Sequence, residues 1–509
     1  MFKPNSLYYS DGYKVGHKRM LAPGTTHLYG TWIPRSTKRA PDGIKKILSF
    51  GQQLVVKWIH DEFKSNFFGI PKEDAMIFIK DMSLYLGMEI DGSHFEDLHD
   101  LGYLPIRVKS LPEGIETMPN VPHMTFVNTV SGFAWLTLYL ETIISSLAWK
   151  PSTSATIALK YRRNLIEWVL KTDSKNLWLI DFLCHDFSAR GLSPWDMISS
   201  GLGHATSFKG SDTLMVIPAS RYFYNEPKNE VSIFSVNASE HSVSTTKIFT
   251  VGEQQMISDW LNLFPKGILS IVSDTFDLWK LVTEYLPANK QGIMSRDGKL
   301  VIRPDSGNPV DIICGLENKD YFQLLEKDGK FKLRDNQTGI SKDVSLSEKK
   351  GLIELLWDIF GGTINDQGYK VLDPHIGAIY GDSITLQRQE EIYERLEKKG
   401  FAMTNIVLGI GSYTYQLNTR DTFGFAAKGS WFKENGVDHV IFKDPVTDDG
   451  TKISLKGLIC VTKDHTVLTE CTESEEREGI LQTIYENGEF YNQTSLSEIR
   501  SKVVELSKN

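Results

Sequence analysis

Four apolar runs in the second half of the chain constrain it most: GILSIVSD from Gly267, KLVIRPDSG from Lys299, IGAIYGDS from Ile376 and NIVLGIGS from Asn405. Each climbs through β-branched residues and stops abruptly at Asp, Arg, Gly or Ser. Strand-like runs alternating with helical patterns predict an α/β fold, a parallel sheet or barrel with helices covering its outside. In α/β barrels the C-terminal strand ends and the loops after them form the active-site face. Asp274, Arg303, Asp305, Gly381, Asp382, Gly409 and Gly411 are therefore expected to meet at one mouth. Any one such ending can simply turn the chain or cap a helix. A cap needs neither arginine nor paired acids, so the four endings together point to a site.

The flanking regions read differently. LPIRVKSLPEGIETMPNVPHMTFVNT, from Leu104 to Thr129, has short alternating runs broken by Pro and Gly, as antiparallel strands joined by turns do. From Ser131 to Thr172 the pattern is that of long helices: FAWLTLYLETIISSLAW carries apolar residues at helical spacing, and a second amphipathic run is expected to begin after Pro151-Ser152-Thr153-Ser154. The lysine-rich stretch from Lys327 to Lys350 reads as a mobile surface insertion. The expected division is an α+β part of a β-rich domain over 1–150, an α/β-barrel catalytic domain over 151–424, and a segment completing the β-rich domain over 425–509.

Charge and cysteines set outer limits. Fifty-six basic against 64 acidic residues leave a net charge of −8, which offers nucleic acid no overall basic field, so any anion site must be local. Cys184, Cys314, Cys460 and Cys471 are far apart and form no CxxC pair, which fits a reducing cytoplasm. The first residues lack the pattern of a signal peptide, and no segment gives eighteen uncharged apolar residues, so neither export nor membrane insertion is expected. No HExxH, EF-hand loop or GxSxG occurs, and His94 and His99, without helical i,i+4 spacing or nearby thiols, read as surface residues.

RPDSGNP, Arg303 to Pro309, sets an arginine two residues before an aspartate at a strand end. Extended chain points both to the same side, one to hold an anion or a flat ring and the other ribose hydroxyls or a metal. A surface ion pair ahead of a tight turn has the same spelling.

HDFSARG from His185, FKGSDT from Phe208, SEHS from Ser239, VSDTFD from Val272, RPDSGNP, YGDS from Tyr380, GIGSYTYQLNTRD from Gly409 and FKDP from Phe442 follow SDGYKVGHK near the N-terminus. In that order they resemble the nicotinamide phosphoribosyltransferases. The resemblance implies a type II phosphoribosyltransferase: an irregular (β/α) barrel with an additional antiparallel β-rich domain, working as a homodimer with active sites at the interface. The implied reaction moves phosphoribosyl from 5-phosphoribosyl 1-pyrophosphate to nicotinamide. It needs donors for pyrophosphate, a cradle for the 5′-phosphate and negative groups near an oxocarbenium-like carbon.

Carried over residue by residue, Phe187 stacks on nicotinamide, Arg303 covers its other face or grips its amide, and Tyr13 completes the sandwich from the second subunit. Asp212 accepts from the carboxamide and repels nicotinate, and Ser235 contacts substrate. Arg190, His241, Arg303, Arg35, Lys428 and Lys443 serve the pyrophosphate, some across the interface. Asp305, Gly381, Asp382, Gly411, Ser412 and Arg420 surround ribose and 5′-phosphate, with glycine allowing an anion nest of N–H groups. His241 resembles a histidine phosphorylated by ATP, with Glu240 either orienting it or simply solvated. Magnesium is expected with the donor, Asp274, Asp277 and Asp305 being candidates, and Asp274 and Asp305 join His241 and Arg303 as the expected catalytic set. Ser188 and Ala189 stand where the family has glycine and an aromatic, Asn237 and Ser239 where it has proline and alanine, and Ser412 interrupts a longer glycine run. Rival readings are a nicotinate phosphoribosyltransferase, a non-catalytic interaction protein on the same fold, and a glycosidase using Asp274 and Asp305.

Overall fold

The computed structural model describes residues 3–381, 383–447 and 453–508. Its central sheet is all parallel, in the order Cys184–Asp186, Ile406–Ile410, Ile376–Tyr380, Leu300–Arg303, Leu269–Val272, Asn237–Ala238. The four apolar runs supply the four middle strands. Single parallel bridges Asp186–Ser211 and Gly210–Phe234 close the ring, because Phe234 lies just before the Asn237 strand. The closing hydrogen bonds, Asp212 N to Asp186 O and Ser211 N to Phe234 O, are both 3.0 Å. The result is an irregular barrel. Ile271, Ile302, Ile406 and Leu408 are fully buried, the burial that drives the strands together.

Helices return the chain outside the ring. Asn308 of RPDSGNP accepts from the N–H groups of Val310 and Asp311, and Pro309 opens the Pro309–Cys314 helix. The turn thus does the capping work, and Arg303 and Asp305 are left for the mouth. Trp149–Thr172 is one helix of 24 residues that packs on the Pro194–Ala205 helix. It starts before Pro151 rather than after Ser154, since a first helical turn tolerates proline. The lysine-rich stretch is also ordered, contrary to expectation: Phe322–Lys327, Lys330–Asp335 and Ser341–Val344 form a three-stranded antiparallel sheet over a small core of Phe331, Leu333 and Val344.

The second sheet is antiparallel and draws on both ends of the chain, in the order Val437–Val440, Ala426–Glu434, Thr25–Ile33, Met124–Asn128, Ile106–Ser110, Gln482–Glu486, Glu489–Phe490. Two of its strands come from the Leu104–Thr129 stretch. His94 is buried, not at the surface, with its ring 4.6 Å from that of Trp135. His99 is half-buried and its Nε2 lies 3.0 Å from the Ile70 carbonyl. All four cysteines are free thiols, and among the described residues no helix is long and apolar enough to cross a membrane.

The Glu473–Glu478 helix is tied to this sheet by charge. Lys109 Nζ donates to Glu476 Oε1 at 2.9 Å with both side chains more than nine-tenths buried, and Arg107 approaches Oε2 at 3.7 Å. Burial pulls the Lys109 ammonium below its usual range, opposed by Glu476. Glu476→Ala would strand a buried cation, and the expected loss is about 3–5 kcal/mol of stability in urea unfolding; a change below about 1 kcal/mol would contradict it.

Candidate active site

The strand ends meet at a cavity of about 660 Å³ lined by Phe187, Arg190, Asp212, Ala238, Ser239, Glu240, Arg303, Asp305, Gly381 and Ser412. They come from six segments of the ring, whose C-terminal ends parallel pairing brings to one rim. On one wall, strand alternation turns His185 and Phe187 to the same side, their rings 4.6 Å apart. His185 Nε2 lies 3.2 Å from Asp212 Oδ1, and Ser235 Oγ donates to that same oxygen. Burial alone would raise the Asp212 carboxyl. The His185 and Ser235 hydrogen bonds and the charges of His185 and Arg303 outweigh it and hold the group below the usual carboxylate range.

The opposite wall is built on Asp274. Its Oδ1 lies 3.1 Å from His241 Nε2, while its Oδ2 accepts from the Asp305 N–H at 2.9 Å and from Ser306 Oγ at 2.6 Å. His241 is the first residue of the His241–Val251 helix and about half exposed, whereas the Asp274 side chain is 5% exposed. Burial again raises and the Ser306, Asp305 and His241 partners lower, so Asp274 sits below the usual range. Arg303 NH2 donates to the Ser239 carbonyl at 2.5 Å, and its Nε stands 3.9 Å from Asp305 Oδ1. An added side chain would collide at two glycines here, with the Asp305 side chain at Gly381 and with backbone at Gly411. A Cβ on Gly381 would come within 2.0 Å of Asp305 Oδ1, and one on Gly411 within 2.6 Å of Ser188 N.

The cavity therefore gathers Phe187, Arg190, Asp212, Arg303, Asp305, Gly381 and Ser412, with Ser235, His241, Asp274 and Gly411 directly behind or beside them. Asp382 lies outside the described residues. Five further expected residues, Tyr13, Arg35, Arg420, Lys428 and Lys443, belong neither to the lining nor to the residues just named beside it. Tyr13 is 66% exposed beside His17, Arg35 Nε donates to Gly424 O at 2.8 Å, and Arg420 lies next to Asp421. Lys428 pairs with Glu141 at 3.6 Å, and the Lys443 N–H donates to Ser454 Oγ at 2.7 Å. Burial lowers the Lys428 ammonium; Glu141 opposes that and the charges of Arg35 and Lys443 add to it, which groups the three cations in one region.

Asp274, not Glu240, orients His241. Asp277 caps the Leu278–Lys280 turn and does not line the cavity. Among the described residues no group of three His, Cys, Asp or Glu side chains is set to hold a metal ion. Both Asp274 oxygens are engaged with protein donors and Asp277 lies off the cavity, so of the three expected metal candidates Asp305 is the one at the cavity wall. Sequence reasoning missed His185, Asp186 and His204. His204 is buried between Tyr415 OH at 2.8 Å and the Gly210 carbonyl at 2.9 Å, pinning the segment before Asp212. Ser239, a departure from the family pattern, uses its hydroxyl to accept from Val272 N at 2.9 Å.

Residues 182–489, which supply every cavity-lining side chain, match the nicotinate phosphoribosyltransferase (NAPRTase) family. A nicotinamide phosphoribosyltransferase of Acinetobacter baylyi is 40% identical over 99% of this chain and 98% of that protein. The chain belongs to this family. A nicotinamide phosphoribosyltransferase of Mycoplasma pneumoniae is 30% identical over 88% of this chain and 93% of its own length. Human nicotinic acid phosphoribosyltransferase superposes with a TM-score of 0.58 at 14% identity, covering 98% of this chain and 93% of that one. Nicotinate-nucleotide pyrophosphorylase of Pyrococcus furiosus gives 0.53 at 15%, covering 99% and 95%. The shared fold, a parallel barrel beside an antiparallel sheet, is that of type II phosphoribosyltransferases.

A carboxylate held below its unfolded value contributes stability above the ordinary carboxylate range and loses it as pH falls through the folded value. The stability gap between wild type and Asp274→Asn should therefore close as pH falls below about 4 in urea unfolding. A gap that stayed undiminished down to about pH 2 would contradict the assigned hydrogen bonds.

Proposed function

We propose that this family member transfers phosphoribosyl from 5-phosphoribosyl 1-pyrophosphate to nicotinamide, giving nicotinamide mononucleotide and pyrophosphate. The carrying observation is the ionised Asp212 in the cavity wall, fixed by His185 and Ser235. A carboxylate there accepts from a carboxamide N–H and repels the carboxylate of nicotinate. The names of the two bacterial relatives agree with that choice.

In this reading Phe187 stacks on the pyridine ring and Arg303 covers its other face or grips its amide. The ring nitrogen attacks C1 of the ribose while the C1–O bond breaks, and the bonding pair leaves with pyrophosphate. No proton is lost, since the nitrogen becomes the pyridinium of the product. Arg190, Arg303 and His241 take up charge on the leaving group, and Asp305 faces the cationic sugar. The backbone at Gly381, Gly411 and Ser412 receives the 5′-phosphate. Asp305 would hold a magnesium ion brought with the donor, and the ion would supply positive charge against the pyrophosphate.

His241 takes the γ-phosphoryl of ATP. Asp274 accepts from Nε2–H, which leaves the Nδ1 lone pair to attack; ADP departs and water later releases phosphate. Tyr13, Arg35, Arg420, Lys428 and Lys443, which lie off the cavity of their own chain, are supplied to it by a second copy in a homodimer. The enzyme works in the cytoplasm, where its free thiols persist.

Asp212→Asn should reduce the preference for nicotinamide over nicotinate, in kcat/KM, by about tenfold or more. Unchanged preference would remove Asp212 as the group that selects amide over acid. With γ-labelled ATP, wild type should acquire acid-labile label and His241→Ala none; equal labelling of both would remove His241 from the phosphoryl step.

A further inference from the structure

Asp186 is fully buried, and its carboxylate spans the two loops that carry the ring-binding residues. Oδ1 accepts from the Ser188 N–H at 2.8 Å, directly after Phe187. Oδ2 accepts from Thr213 Oγ1 at 2.7 Å and Ser211 Oγ at 3.1 Å, the residues on either side of Asp212. Its own carbonyl accepts the Asp212 N–H at 3.0 Å. Ser188, Ser211 and Thr213 are each at most 1% exposed, so the donors it engages have no water to turn to. Strand alternation aims Phe187 into the cavity and Asp186 away from it. Grasping both neighbours of Asp212 leaves that residue little freedom to turn from the cavity, while the bond to Ser188 holds the peptide after Phe187.

We propose that Asp186 is a positioning residue, which sets the gap between the Phe187 ring and the Asp212 carboxylate without touching substrate, and so fixes the slot for a flat amide-bearing base. The inference rests on the nicotinamide reading of the cavity. A scaffold role alone would weaken the fold or the handling of both substrates together. A slot-setting role acts on the base and spares the phosphoribosyl donor, whose groups face Arg303, Asp305 and the glycine loops.

The test compares Asp186→Asn, Thr213→Val and Thr213→Ser, with KM measured separately for nicotinamide and for 5-phosphoribosyl 1-pyrophosphate and with folding checked by thermal melting. Thr213→Val removes one donor while keeping the shape, and Thr213→Ser returns it. Asp186→Asn and Thr213→Val should raise the nicotinamide KM about tenfold, with the donor KM moving less than about threefold, and Thr213→Ser should recover most of the loss. A wild-type nicotinamide KM in folded Thr213→Val, or both KM values rising in step, would overturn the proposal. Should Asp186→Asn not accumulate as folded protein, the Thr213 pair decides. Wild-type turnover of nicotinate in place of nicotinamide would defeat the amide reading, and the same comparison, made with nicotinate, would then decide the slot.

Discussion

Parallel pairing of six short strands into a ring, closed through the bridging segment at Gly210–Ser211, is the constraint on which the rest depends. Because all strands run the same way, every C-terminal end arrives at one rim, and side chains far apart in sequence become neighbours. Closure matters as much as direction. The bridges from Ser211 to Asp186 and from Gly210 to Phe234 bring Asp212 and Ser235 into hydrogen-bond contact.

At that rim each acid has a different fate, decided by its donors. Asp212 has one oxygen engaged by His185 and Ser235 in a cavity-lining position. Asp274 has both oxygens engaged and serves to orient His241 and to fix the backbone of Asp305. Asp186 is buried altogether and bridges two loops. Equivalent side chains thus become a recognition group, a support and a clamp. Charge type alone does not distinguish them, whereas hydrogen-bond partners and burial do.

Much of this was legible in the sequence. The four apolar runs are the four middle strands, and their endings Arg303, Asp305 and Gly381 line the cavity, because burial and alternation leave direct marks on residue type. Pro151 misled because a first helical turn accepts proline, and the Lys327–Lys350 stretch misled because a small core of Phe331, Leu333 and Val344 orders an otherwise polar three-stranded sheet. Asp186 and His204 escaped because a buried polar residue is defined by partners distant in sequence, 25 to 27 residues away for the Ser211 and Thr213 hydroxyls and 211 for Tyr415. Tyr13, Arg35, Arg420, Lys428 and Lys443, grouped with the site by the resemblance, do not line the cavity of the single chain.

The most direct measurement is mass-spectrometric detection of mononucleotide formed by the wild-type protein from 5-phosphoribosyl 1-pyrophosphate and magnesium, offered nicotinamide and nicotinate in separate reactions. The account predicts nicotinamide mononucleotide with little or no nicotinate product. Preferential formation of nicotinate mononucleotide, or no product from either base, would contradict it.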